Sequence, residues 1–384
     1  MWGFLVMETF GLFLPSMRAE LSLTPVREGL LGAAPQVAIL IFSIPFGLHL
    51  SRFSPKLLTL ASIAGAVAVI FFQAWAPVYA LFLLGRFLYG LSLTVREPAH
   101  PLLLRMWIPA RQILIANASI ELLWSLGSAF FIVVPLVLEA LGGDWRRTMQ
   151  VLGYATIGLG LLWLLVGRER PASSAEGEPD AQRPVSIRGV LRHKELWLLA
   201  MGLLGVEITF SSFETFWPAF MLDRYDVTIK TSALLWTITG LVAGPTGLAV
   251  NLVVNRLGKR RTALRIGGVY VVLTTIPLLY SGSFPVLVAI SILHGMCFSF
   301  YPIVMTIPFQ LKGIRAREIA VAMGFLTSAL TLGGVSGPVL AGFIHEVSGD
   351  QRLALTLVGF SGLALTLGAL FLSPEWDRRP DEAP

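Results

Sequence analysis

Long apolar stretches, broken by short polar punctuation, run along almost the whole chain. A helix that crosses a bilayer needs roughly 20 apolar residues, and on that measure the sequence predicts twelve spans. They cover residues 3–17, 29–50, 56–75, 78–98, 112–138 and 148–167, then 196–222, 231–254, 262–280, 284–307, 318–344 and 353–372. Gly, Pro and polar residues fill the gaps. The runs are long and lack period-two alternation, so they predict helices and not the strands of a barrel. The first run is short: even Met1 to Met17 would be about 25 Å at 1.5 Å per residue against a core of roughly 30 Å. It has no basic leader and no small-residue cleavage site, so it reads as a helix, not a cleavable signal.

One polar segment stands apart. Residues 168–194 are rich in Pro, Ser and Glu and read as a flexible cytoplasmic linker. They divide the chain into an N-terminal six-helix bundle (1–167), a C-terminal six-helix bundle (195–376) and a tail (377–384). Within the linker, Val185 to Lys194 reads either as a short amphipathic surface helix or as solvated chain.

Composition makes the membrane reading firm. The chain has 384 residues, 55% hydrophobic and 14% charged, with a mean hydropathy of +0.74; soluble domains carry about 25% charged residues. The single cysteine, Cys297, makes no intrachain disulfide and no metal site alone. A net charge of +6 would suggest nucleic acid in a soluble protein, but here placement matters more. Twenty-one of the 29 Lys and Arg fall in the loops that share a side with both termini, and seven on the other side. This bias predicts a multi-pass protein of the plasma or inner membrane with cytoplasmic N- and C-termini.

The two bundles repeat one another. At an offset of 206, Ile108, Ala110, Arg111, Ile113 and Ala116 fall on Ile314, Ala316, Arg317, Ile319 and Ala322. Gly127, Gly143, Asp144 and Arg146 fall on Gly333, Gly349, Asp350 and Arg352. Parallel six-span repeats with a site at their interface are a transporter architecture.

The loop after the eighth span reads Asn251-Leu-Val-Val-Asn255-Arg256-Leu257-Gly258-Lys259-Arg260-Arg261, and its counterpart in the first bundle keeps Gly47, Arg52 and Lys56. Both resemble the G-x-x-x-D-R-x-G-R-K loop of the major facilitator superfamily, with Asn255 and Ser51 in place of the acid. The Gly85-Arg86 to Gly90 stretch of the fourth span and Gly333 to Gly342 of the eleventh are also similar to that family. The resemblance covers nearly the whole chain. It implies an all-α fold of twelve transmembrane helices in two pseudo-symmetric bundles, with Arg52, Lys56, Asn255, Arg256, Gly258, Lys259 and Arg260 in gating loops. The family's antiporters carry a G-P element in span five; here Phe130, Phe131 and Val134 occupy that region.

Ionisable groups inside spans are costly and functional by default. Glu8 and Arg86 sit at similar depth in spans one and four, so they are candidates for a pair. Glu207 and Glu214 are two turns apart on one face of span seven, and Glu121 lies in span five. With His294 these are the candidates for substrate contact and proton coupling, since embedded acids and histidines serve as proton relays. Phe213, Trp217, Phe298 and Tyr301 are the candidate cavity lining.

No nucleotide-binding loop, zinc motif, redox motif or nucleophile elbow is present, so no enzyme activity, cofactor or metal is expected. The expected function is secondary transport of a small organic solute by alternating access, as proton-coupled symport of an organic anion or metabolite. Four embedded carboxylates against one arginine keep an alternative open, a multidrug or organic-cation/proton antiporter. A non-transporting scaffold or receptor is the remote alternative. The partners are a small-molecule substrate, protons and the lipid bilayer, with no nucleic acid, and the chain is expected to act as a monomer.

Overall fold

A computed structural model describes residues 6–50, 52–97, 99, 103, 106–108, 120, 122–168, 187–311, 314 and 316–377. Among these residues the chain is helical with no strand. A 3-10 turn, Thr9–Leu12, leads into α1, Leu14–Arg18. Then come α2 (Pro25–Leu50), α3 (Pro55–Trp75), α4 (Tyr79–Thr94), α5 (Leu122–Ala140) and α6 (Trp145–Val166). The C-terminal half contains α7 (Lys194–Tyr225), α8 (Ile229–Leu257), α9 (Arg260–Leu279), α10 (Phe284–Gln310), α11 (Ala316–Ser348) and α12 (Gln351–Leu370). Ten of these are long and apolar enough to cross a membrane; α4 is apolar but shorter. Linker residues 169–186 and the tail beyond 377 lie outside the described residues; the described end of the linker opens with one helical turn, Ile187–Val190. Val190 in that turn is buried in the C-terminal core, so this part of the chain is anchored to the protein.

The repeated Gly-Asp sequences acquire a local cause. Gly143 and Gly349 adopt φ of +84° and +69°, a left-handed turn that suits glycine. Each following Asp caps the next helix: Asp144 accepts from the Arg147 amide at 3.0 Å and Asp350 from the Arg352 amide at 2.8 Å. Such caps satisfy amides that have no partner within the helix. α8 likewise stops at Gly258, φ +67°.

Tight packing of small residues joins the halves. α11 lies along both α2 and α7, α5 lies against α8, and the 3-10 turn before α1 crosses α7. A Cβ on Gly29 would stand 2.2 Å from the Pro338 carbonyl oxygen, and one on Gly11 would stand 2.2 Å from that of Glu214. On α5, Ser125 donates to the Gly240 carbonyl at 2.5 Å and accepts from the Gly244 amide at 3.2 Å.

The two ends differ. All five ion pairs between described residues lie at the end that carries the α1–α2 turn. Arg18 reaches Glu28 at 2.6 Å and also pairs with Asp223 of α7, while Lys230 meets Glu139 at 3.4 Å across the α5–α8 seam. The Val26 amide donates to Glu346 at 3.0 Å. No ion pair between described residues closes the opposite, basic end. Exposed ion pairs are each worth up to about 1 kcal/mol. Arg18→Ala, which also strands the nearly buried Glu28, is therefore expected to populate opening of the first-loop end about fivefold or more. Spin labels at Thr24→Cys and Ser348→Cys, with Cys297→Ala, would show it as a longer distance distribution; an unchanged distribution would remove Arg18 from the latch.

Candidate functional site: a carboxylate-lined cavity between the halves

Beneath the latched end lies a cavity of about 610 Å³. Its walls follow helical period. On α7 the inward face reads Glu207, Phe210, Glu214 and Pro218, at spacings of three and four residues that keep side chains on one face. α8 presents Trp236 and then Gly240, Gly244 and Gly247, a smooth wall that leaves the space open. α10 adds Phe298 and Tyr301, α5 adds Ser125, Ser128 and Phe131, and the first segment adds Glu8 and Leu12. The wall reaches Asn251 and Thr306 near the basic end.

Three carboxyls thus face one space, Glu8 from the N-terminal half with Glu207 and Glu214 from the C-terminal half. Each is only half-buried. Glu214 lies within electrostatic reach of Glu8, Glu207 and Arg86. No Lys, Arg or His is among the described lining residues.

Arg86 is 2% exposed and stands behind this wall. Its Nε donates to the Leu31 carbonyl at 3.1 Å and its guanidinium lies 4.2 Å from the centre of the Phe10 ring. No ion pair joins Glu8 to Arg86, whose guanidinium lies on the Phe10 ring; the carboxylate acting on Arg86 is Glu214. His294 is also behind the wall, 1% exposed. Its Nδ1 faces Thr274 and Thr275 hydroxyls at 3.3 and 3.4 Å, and Phe210 and Phe298 cover it edge-on.

Phe298 and Tyr301 stand on the cavity wall; Phe213 and Trp217 do not. Both belong to the core that α7 forms with α8 to α12, where Trp217 donates to the Leu278 carbonyl at 3.1 Å. Glu121 lies outside the described residues, as does the side chain of Asn255. In the gating loops Arg52 and Arg256 are exposed, with Arg52 stacked over Phe53 at 5.3 Å. Lys56 lies in the first turn of α3 and Lys259 is exposed between α8 and α9. Arg260 binds Gln310 within its own half. Trp236, Trp124 and Phe131 line the cavity without having been singled out for it, whereas Phe210, one of the span-seven aromatics that the sequence offers as a wall, does line it. A signal for the crossing was available: Glu8-Thr9-Phe10 and Glu214-Thr215-Phe216 are the same tripeptide at the repeat offset of 206, and the two meet where Gly11 touches Glu214 and Thr215.

The Major Facilitator Superfamily model matches residues 3–320 and 253–384. The chain belongs to the Major Facilitator Superfamily. It is therefore a multi-pass membrane transporter and not an enzyme. It is 24% identical to the probable sulfoacetate transporter SauU of Cupriavidus necator, over 94% of this chain and 88% of that one. It is 23% identical to the probable galactarate/D-glucarate transporter GudP of Bacillus subtilis, over 93% and 86%. The fold matches the crystal structure of the nucleoside transporter NupG, with a TM-score of 0.75 at 15% identity over 96% of each chain. It also matches a bacterial homolog of the human lysosomal transporter Spinster, inward-facing and unoccupied, with a TM-score of 0.70 at 14% identity over 98% of this chain and 95% of that one.

Proposed function

We propose that this superfamily member carries an organic acid together with protons by alternating access, with Glu8, Glu207 and Glu214 as the proton-binding groups. The observation that carries the reading is the convergence of three carboxyls from both halves on one cavity, with no basic side chain among its described lining. An anion cannot enter such a site while the carboxylates are charged, since like charges at close range in a poorly hydrated site repel strongly. Proton loading of these carboxyls would let an acid enter, and the lining supports symport on that ground. The names of the two relatives support an organic acid as cargo. Residues 1–167 and 195–376 are the rocking bodies, both termini are cytoplasmic on the charge bias, and one chain is the working unit, since both of its halves contribute to the described lining. Arg52, Arg256 and their neighbours serve as the basic gate at the inner end.

Acids beside aromatic rings also suit an organic cation, and that lining favours cation/proton exchange as a second reading. The test is proton flux in proteoliposomes with an internal pH dye, using a panel of organic acids and a panel of lipophilic cations. Protein-free vesicles correct for passive entry. Inward proton movement evoked by an acid and lost in Glu207→Gln is the expected result. Outward proton movement evoked by cations would replace symport with exchange.

A further inference from the structure

The cavity wall says more about its cargo than its charge alone. Phe210 and Phe298 stack on each other with centroids 4.8 Å apart and planes inclined by 22°, joining α7 to α10 as an aromatic pair on the cavity wall. Trp236 and Tyr301 extend it, and His294 backs it edge-on, 5.5 Å from the Phe210 ring. Glu207 stands one turn from Phe210 on the same face of α7, so the carboxyls border the aromatic surface. Aromatic rings prefer offset-stacked or edge-on partners. Ligand sites that are mostly apolar with a few polar groups take amphipathic molecules, the polar groups fixing orientation.

Resting on the symport reading above, we propose that the cargo is an aromatic monocarboxylic acid, its ring against Phe210, Phe298 and Trp236 and its carboxyl against Glu207 or Glu214. A carboxylate can share one proton with a wall carboxylate in a short O–H···O⁻ bond. No bond other than that to the proton is made or broken. A sulfonate cannot hold a proton in this way and would need a cation, which the described wall does not supply. A diacid would bring two negative charges to a wall that already carries three carboxyls and no described cation. The site therefore departs from the sulfonates and sugar diacids named for the two relatives.

Isothermal titration calorimetry on the full chain in lipid nanodiscs tests this, with benzoate, benzenesulfonate, galactarate and tetraphenylphosphonium as probes. Running each in two buffers of different ionisation enthalpy counts protons. Benzoate is expected to bind with proton uptake, at least tenfold more tightly than benzenesulfonate or galactarate, and Phe298→Leu to weaken it about fivefold. Galactarate or benzenesulfonate binding as tightly as benzoate, with proton uptake, overturns the aromatic cargo and leaves organic-acid symport standing. Tetraphenylphosphonium binding with proton release, and no acid binding, overturns both. Silence from every probe in folded protein overturns the aromatic-acid site.

Discussion

Replacing Glu214 with Gln is expected to cut cargo-driven proton flux about a hundredfold while leaving the melting temperature within a few degrees. Gln keeps the shape of the side chain and fits the α7 face, but it cannot take up and release a proton. Coupling between two ligands in one protein is typically worth 1–3 kcal/mol, or roughly 5- to 150-fold, and this residue sits where the largest share should fall. It is the carboxyl on which Glu8, Glu207 and Arg86 all act. Arg86→Gln should weaken flux as well, and the double variant should lose less than the sum of the two, because groups coupled electrostatically are not additive. Fluxes from reconstituted single and double variants decide it; simple additivity would separate Arg86 from the acid cluster.

Two glycine substitutions should act in opposite registers. A Cβ on Gly90 would lie 2.1 Å from the Pro35 carbonyl oxygen and 2.6 Å from its Cα, a contact between α4 and α2 within one half. Neither backbone can yield without unseating both helices. Overpacking typically costs about 1–3 kcal/mol, and Gly90→Val belongs at or above the top of that range. A markedly lower melting temperature and folded yield in detergent are expected. Gly29→Val makes an equally close contact with Pro338, but across the halves. There the clash is relieved by separating α2 from α11 as bodies, so the melting temperature should change little and the Thr24–Ser348 spin-label distance should lengthen. Equal destabilisation by both would mean that the halves do not move independently.

Much of this was legible in the sequence because hydropathy is a local signal. The long apolar runs located the helices to within a few residues, and the Gly-Asp repeats marked two caps whose geometry is local too. Ends set by packing were less accessible. α2 begins at Pro25 and α7 runs to Tyr225, since the polar first-loop end is stabilised by partners far along the chain, such as Arg18 with Asp223. The embedded glutamates were legible because charge is costly in an apolar span. The aromatic wall was only half legible. Counted at 3.6 residues per turn from Glu207, Phe210 and Glu214 share its face, whereas Phe213 and Phe216 fall well round the helix and pack inward. Glu8 and Arg86 match in depth by sequence, yet depth along two helices leaves their rotation undetermined, and Arg86 meets the Phe10 ring and the Leu31 carbonyl instead.

The duplicated Glu-Thr-Phe tripeptide has a bearing on ancestry. A six-helix chain carrying one such tripeptide, assembled with its own copy about a two-fold axis, would bring two acids face to face from a single codon. Fusion of the two copies then frees each acid to change without the other. Glu207 has no counterpart at that offset, where Met1 stands, so the third carboxyl is the kind of one-sided addition that only a fused chain can make.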